Sequence, residues 1–252
     1  MLDRATFLRP IAHRGLHDAA AGRVENGAAA FRAAIDKAYG IECDLRPARG
    51  GLPVVFHDTT LDRLVDAKLA VADLGPDDLR RLRTRTGGEP ILAFQDLLDL
   101  AGGRVPLLVE VKSEWDPPDI AFLSEIARRA LDYTGPLALM SFDPDVLTVL
   151  RELATEIPRG VISGSYKDAH GETWWPDRID PARADRLANL LDSAPVAPSF
   201  YAYHVASLPT PVTRYVREVQ GLPLYAWTVR TAEDIAVAGA HADAPIFEGY
   251  AA

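Results

Sequence analysis

The 252 residues, 48% hydrophobic and 25% charged, suit an α/β domain with a sizeable core; they exclude a disordered chain or a small scaffold stapled by disulfides. A formal net charge of -9, from 27 Lys and Arg against 36 Asp and Glu, argues against a general nucleic-acid binder, which needs a basic face to neutralise phosphates. A small anionic substrate is not excluded, because it meets only the local field of one cleft.

In chain order, residues 1–10 carry Asp3, Arg4 and Arg9 where a signal peptide would need an apolar run. No later stretch approaches the roughly 18 apolar residues of a membrane span. With Cys43 as the single cysteine, these features predict a cytoplasmic protein with no stable membrane insertion and leave its oligomeric state open. Residues 9–13 read as a first strand. Residues 26–38 place Phe31, Ala34, Ile35 and Ala38 at helical spacing, and Gly40 ends that helix before a second strand at 41–45. Gly50-Gly51 followed by the strand-like run 53–57 makes 45–57 a hairpin at the mouth of the sheet. Residues 59–103 hold little beyond helices at 76–82 and near 94–100. A third strand at 105–112 leads past Pro117-Pro118 into a helix at 120–131. Further strands are expected at 137–141, 160–163, 196–200, 222–228 and 244–247, with helices at roughly 143–154, 181–191, 209–220 and 231–239.

Eight strands alternating with helices, the hairpin arm left aside, predict a (β/α)8 TIM barrel forming one domain over 1–252. No glycine-rich phosphate loop supports the alternative, a doubly wound open sheet. A barrel would place the long connection 164–180 (GSYKDAHGETWWPDRID) on its active face. That loop either contacts a bound substrate or packs its tryptophans on the rim.

Residues at the C-terminal ends of barrel strands face the active site. Here those ends read His13-Arg14, Glu42-Cys43-Asp44, His57-Asp58 on the hairpin arm, and Glu110-Val111-Lys112. Side chains two apart on a strand share a face, so Glu42 goes with Asp44 and Glu110 with Lys112. Any one of these carboxylates, taken alone, is more often a salt-bridged surface group. Three together in a partly desolvated site repel one another, and a divalent cation relieves that repulsion; oxygen ligands select a hard ion, Mg2+ or Ca2+. His13 and His57 are the natural proton-transfer pair. His17, His170, His204 and His241 lack that context and read as bland.

This ordered set resembles the glycerophosphodiester phosphodiesterases. That family carries HRG, PEN, E-x-D, H-D and E-x-K in this order, matched here by His13-Arg14-Gly15, Glu25-Asn26, Glu42-x-Asp44, His57-Asp58 and Glu110-x-Lys112. The likeness continues through Met140-Ser141-Phe142, Ala226-Trp227-Thr228 and Ala242-Asp243. The resemblance implies a (β/α)8 fold and hydrolysis of a glycerophosphodiester to an alcohol and glycerol 3-phosphate. It also implies one divalent cation held by Glu42, Asp44 and Glu110, with His13 and His57 as acid and base in unassigned order. Arg14 and Lys112 are then expected to contact the phosphate, and Trp227 to form an apolar wall beside the substrate. Departures from the pattern are Val24 for proline, Gly27 for threonine, Glu248 for an aspartate near the end of the last strand, and a reduced insertion after the second strand's hairpin, at 59–103. Two other readings stand beside this one. The first is a lysophospholipase D-like enzyme, for which Trp174-Trp175 is the only hint of a lipid-facing surface. The second is a barrel that binds a phosphorylated ligand without turning it over, which would have no need of an acid and base pair.

Overall fold

The computed structural model describes residues 2–168 and 170–252. Met1 and Ala169, which fall in the N-terminal stretch and the 164–180 connection considered above, lie outside the described residues. The strands are β1 (Ile11–Ala12), β2 (Gly40–Pro47), β3 (Pro53–Val55), β4 (Leu107–Val111), β5 (Leu137–Ser141), β6 (Arg159–Ser163), β7 (Phe200–His204), β8 (Leu224–Val229) and β9 (Ala244–Phe247). Their order is β1-β9-β8-β7-β6-β5-β4-β2-β3, and a further β1–β2 pairing closes eight parallel strands into a barrel. β3 stands outside the ring as the hairpin arm, antiparallel to β2 with Leu45 opposite Val55.

Alternation along the strands separates two layers. Ile11, Leu108, Ala138, Met140, Ile162, Phe200, Ala202, Tyr225, Ala244 and Ile246 pack inside the barrel, closed at its N-terminal end by Leu2 and Phe7. Gly160 makes room there, since a Cβ on it would meet the Phe200 ring at 2.2 Å. The intervening positions, among them Ile41, Cys43, Val109, Leu139 and Tyr201, face outward onto helices through Phe31, Leu97, Phe122, Ile126 and Leu147. Burial on both faces is what makes these strands read as continuous apolar runs. Helices start at side-chain caps: Asp119, Asp143, Asp180 and Thr231 each accept from a first-turn N–H. No helix among the described residues is long and apolar enough to cross a membrane.

Two expected elements differ. The strand placed at 196–200 is Phe200–His204. Pro195 and Pro198 cannot donate to a ladder and Ala197 has φ 48, so the strand begins only where the aromatic-rich run Phe200-Tyr201-Ala202-Tyr203 favours extended backbone. The helix expected over 209–220 is α-helical only at Pro211–Tyr215 and widens into a π turn at Val216–Gln220. Between β3 and β4, Leu61, Val65, Val71, Leu74, Leu79 and Ile91 form a small apolar core of their own against Val54 and Phe56. The connection after β6 is packed down: Tyr166 and Ile179 are buried with Ala184 and Leu187, against Trp115, Phe142 and Trp174.

Candidate active site

The inward register of the strands carries directly into the site. Two residues beyond Ile11 is His13; Glu42 and Asp44 hold the inner face of β2; two beyond Leu108 is Glu110; two beyond Tyr225 is Trp227; and two beyond Ile246 is Glu248. Apolar residues fill the barrel below, and polar ones replace them where the strands end.

After β1 the chain turns through Arg14 (φ 53) and Gly15 (φ 77). A Cβ on Gly15 would lie 2.9 Å from the Ala30 carbonyl carbon, so glycine lets helix Ala28–Asp36 approach the turn. This turn aims the Arg14 backbone N–H at Glu42 Oε2, 2.8 Å away. Glu42, Asp44 and Glu110 are all buried, and each offers an oxygen within 4.8 Å of the others. Lys112 Nζ lies 2.9 Å from Asp44 Oδ1 and 2.7 Å from Glu110 Oε1. The Arg14 guanidinium lies 3.3 Å from Asp44 Oδ2 and donates to Glu25 Oε1 at 2.8 Å. Asn26 also donates to Asp44 Oδ2 at 2.8 Å.

Burial, reinforced by Asp44 and Glu110, pushes the Glu42 carboxyl well above its ordinary range. Burial likewise raises Glu110. Burial would raise Asp44 too, but Lys112, Arg14 and His57 outweigh it and hold that carboxyl well below the usual range. Lys112 partly offsets the effect of burial at Glu110, so the cluster is shortest of positive charge around Glu42. Asp44 Oδ1 is buried without a hydrogen bond, Lys112 standing in ion-pair range but outside hydrogen-bond geometry. Three buried carboxylates with oxygens within 4.8 Å of one another fit a hard divalent cation.

The two histidines are held alike. His13 Nδ1 lies 2.5 Å from Glu248 Oε2, and His57 Nδ1 lies 2.8 Å from Asp58 Oδ1. A carboxylate only accepts, so each imidazole carries its proton on Nδ1 and keeps Nε2 as the working nitrogen. Burial, and secondarily Lys112, pushes His57 down to about 4. Burial also lowers His13, although Glu248 works against it. Glu248 further accepts from Arg230 Nε at 2.6 Å and lies 3.3 Å from His17 Nε2.

A cavity of about 550 Å3 opens over these groups. His13, Arg14, Glu42, His57, Glu110 and Lys112 line one side; Trp115, Phe142, Trp174, Trp175 and Trp227 line the other. Asp44 does not reach the cavity surface and lies behind Arg14, Asn26 and Lys112. The Trp227 indole N–H donates to the Ser163 and Ala202 carbonyls at 3.1 and 3.2 Å, which fixes the ring. Phe142 packs edge-on against Trp227 and Trp175, with centroids 5.3 and 5.2 Å apart. Of the expected site residues all but Asp44 thus line this cavity, though Arg14 and Lys112 are engaged by carboxylates. His17 and His204, expected to be bland, also belong to it: His17 through Glu248, and His204 packed on Trp227 with centroids 4.9 Å apart. Ending β7 at His204 would have revealed the second; no local signal marks the first.

The family model for glycerophosphoryl diester phosphodiesterases matches residues 13–244. Glycerophosphodiester phosphodiesterase 1 of Bos taurus is 26% identical over 251 residues, a match spanning 89% of this chain and 72% of the bovine protein. The human protein of the same name is 29% identical over 163 residues, spanning 58% of this chain and 46% of its own length. Among solved structures, a glycerophosphodiester phosphodiesterase of Thermotoga maritima superposes with a TM-score of 0.71 at 20% identity, covering 95% of this chain and 93% of its own. An Oleispira antarctica phosphodiesterase in complex with its product, sn-glycerol-3-phosphate, gives 0.69 at 19% identity, covering 95% and 92%. At such identities the structural likeness speaks for the barrel alone.

Proposed function

Because this chain belongs to the glycerophosphoryl diester phosphodiesterase family and is a phosphoric diester hydrolase, we propose that it hydrolyses a glycerophosphodiester to an alcohol and glycerol 3-phosphate, using His13 and His57 as acid and base. One observation carries this reading: two imidazoles, each with Nδ1 tied to a carboxylate, stand at a single cavity with a buried carboxylate trio. A barrel that merely binds a phosphorylated ligand has no use for that pair. The naming of the bovine relative as a glycerophosphodiester phosphodiesterase, and the glycerol phosphate product held by the Oleispira antarctica enzyme, point to the same substrate class.

In this reading Glu42, Asp44 and Glu110 hold one divalent cation, Mg2+ or Ca2+. Bound there, it supplies the positive charge that stabilises the phosphoryl oxygens as negative charge grows on them. One imidazole takes the nucleophile's proton through Nε2, and the other gives a proton to the leaving alkoxide. In-line displacement puts them on opposite sides of phosphorus, as their origins on β1 and the hairpin arm allow. Arg14 and Lys112 contact the phosphate from the cavity's charged side while remaining paired with their carboxylates. Trp227 and its aromatic neighbours bound the alcohol side and exclude water from it.

The test is a panel of glycerophosphocholine, glycerophosphoethanolamine, glycerophosphoinositol and lysophospholipids with Mg2+, Ca2+ or EDTA, run beside His13→Ala and His57→Ala. Loss of turnover in EDTA and in both variants is expected. Full activity in either variant refutes the acid–base pair. The aromatic wall favours a second reading in which the substrate is a lysophospholipid, and turnover of those substrates alone would select it.

A further inference from the structure

Arg63 has none of the roles given above, yet it joins two of the site's arms. Its backbone is set by the small core of the insertion. Leu61 and Val65 on either side are buried there, and the Leu64 and Val65 N–H groups donate to the Leu61 carbonyl at 3.0 and 2.8 Å. The guanidinium donates through Nε and Nη2 to the two oxygens of Asp58, at 2.5 and 3.1 Å. It also donates through Nη1 and Nη2 to the two oxygens of Glu25, at 2.8 and 2.7 Å. Asp58 is the carboxylate that holds His57 Nδ1, and Glu25 the one that holds Arg14 Nη1.

An isolated exposed ion pair contributes little to a protein, but paired bidentate geometry within a network is the exception. Here the Arg63 side chain is 45% exposed, while Glu25 and Asp58 are only 14% and 24% exposed. Removing Arg63 would open no core cavity and would leave two half-buried carboxylates without their shared partner.

We propose that Arg63 is a positioning residue: a two-sided clamp that fixes His57 through Asp58 and Arg14 through Glu25. The proposal rests on the functional reading above. It assigns the insertion a catalytic purpose, since only the fold of residues 61–65 brings this guanidinium back to the barrel mouth. A lysine cannot substitute, because a point charge on a flexible stem cannot present a fork to two carboxylates at once.

Arg63→Ala, Arg63→Lys, Asp58→Asn, Glu25→Gln and His57→Ala are assayed for kcat and KM on whichever glycerophosphodiester of the panel the wild type turns over fastest, with thermal unfolding in parallel. Both Arg63 variants are expected to lose about 10- to 100-fold in kcat/KM, the usual effect of removing a partner that orients a site group, with the unfolding midpoint lowered by only a few degrees. Asp58→Asn should reproduce the kcat part of the loss and Glu25→Gln the KM part, and adding Arg63→Ala to a variant that combines Asp58→Asn with Glu25→Gln should change nothing further. If Arg63→Ala fails to fold, Arg63→Lys decides. Wild-type kcat and KM in Arg63→Lys, with His57→Ala inactive, overturns the clamp alone. Wild-type activity in His57→Ala overturns the functional reading and the clamp with it.

Discussion

Replacing Glu248 by glutamine keeps an oxygen that can accept the His13 Nδ1–H bond but removes its charge. The two side chains are only 13% and 19% exposed and sit 2.5 Å apart, so solvent screens their interaction weakly. Burial already draws His13 below its ordinary value, and Glu248 is the foremost group opposing that, so the variant should lower the histidine further. A hydrogen bond to a charged group contributes about 1.5–3 kcal/mol. Glutamine retains a neutral hydrogen bond of about 0.5–1.5 kcal/mol, so the charge accounts for about 1–1.5 kcal/mol; at about 1.36 kcal/mol per decade of rate, losing it where His13 develops charge predicts a fall in kcat of about 5- to 13-fold. Glu248→Asp keeps the charge one methylene further back and should lose less. The assay is steady-state hydrolysis of the preferred glycerophosphodiester under saturating Mg2+, with circular dichroism to show that the fold persists. If Glu248→Gln turns over within twofold of wild type, or if Glu248→Asp is the worse variant, then charge on Glu248 does not serve His13.

Gly15→Ala forces a side chain into left-handed backbone and places a Cβ 2.9 Å from Ala30, so urea unfolding should show a loss of about 2–4 kcal/mol. The same variant should reduce activity, because the turn also aims the Arg14 N–H at Glu42. Glu42→Gln removes the carboxyl that burial and its two neighbours push furthest up, so the metal-free protein should be no less stable in calorimetry while stabilisation by added Mg2+ disappears. His57 has a folded-state value of about 4 against an ordinary 6.5, so between these pH values the unfolded chain binds more protons. Its contribution to stability is therefore fully present above pH 6.5 and declines as pH falls towards 4. Denaturant midpoints of wild type and His57→Gln at pH 7.5 and 5 should diverge in that direction. Truncating Trp174 and Trp175 to alanine should change relative rates across the substrate panel by more than it changes the rate on the smallest diester; an equal loss on every substrate would remove the loop from selection.

Much of the barrel was legible because its strands are buried on both faces and its helices carry their own start signals. Leu137–Ser141 and Ala244–Phe247 are bounded as expected, since each is an apolar run cut off sharply by polar or turn residues. The 196–200 strand was misplaced by apolar residues whose neighbouring prolines deny them a ladder. His13, Glu42 and Glu110 could be named from the chain because strand ends in a barrel converge on one mouth whatever the loops do, and His57 because the hairpin arm pairs back on β2 at that mouth. Glu248 was noticed only as a departure, although it stands two residues beyond Ile246 on the same inward face.

By itself the sequence determined which residue types stand at the strand ends and hence the class of chemistry, because parity along a strand and the closure of parallel strands are local and topological rules. Only the tertiary structure decided how those residues are held. Glu248 reaches His13 across 235 positions, Arg63 returns from the insertion to Glu25 across 38, and Lys112 sits between Asp44 and Glu110 from two different strands. Such pairings depend on side-chain reach and burial at long sequence separation, which no local pattern encodes.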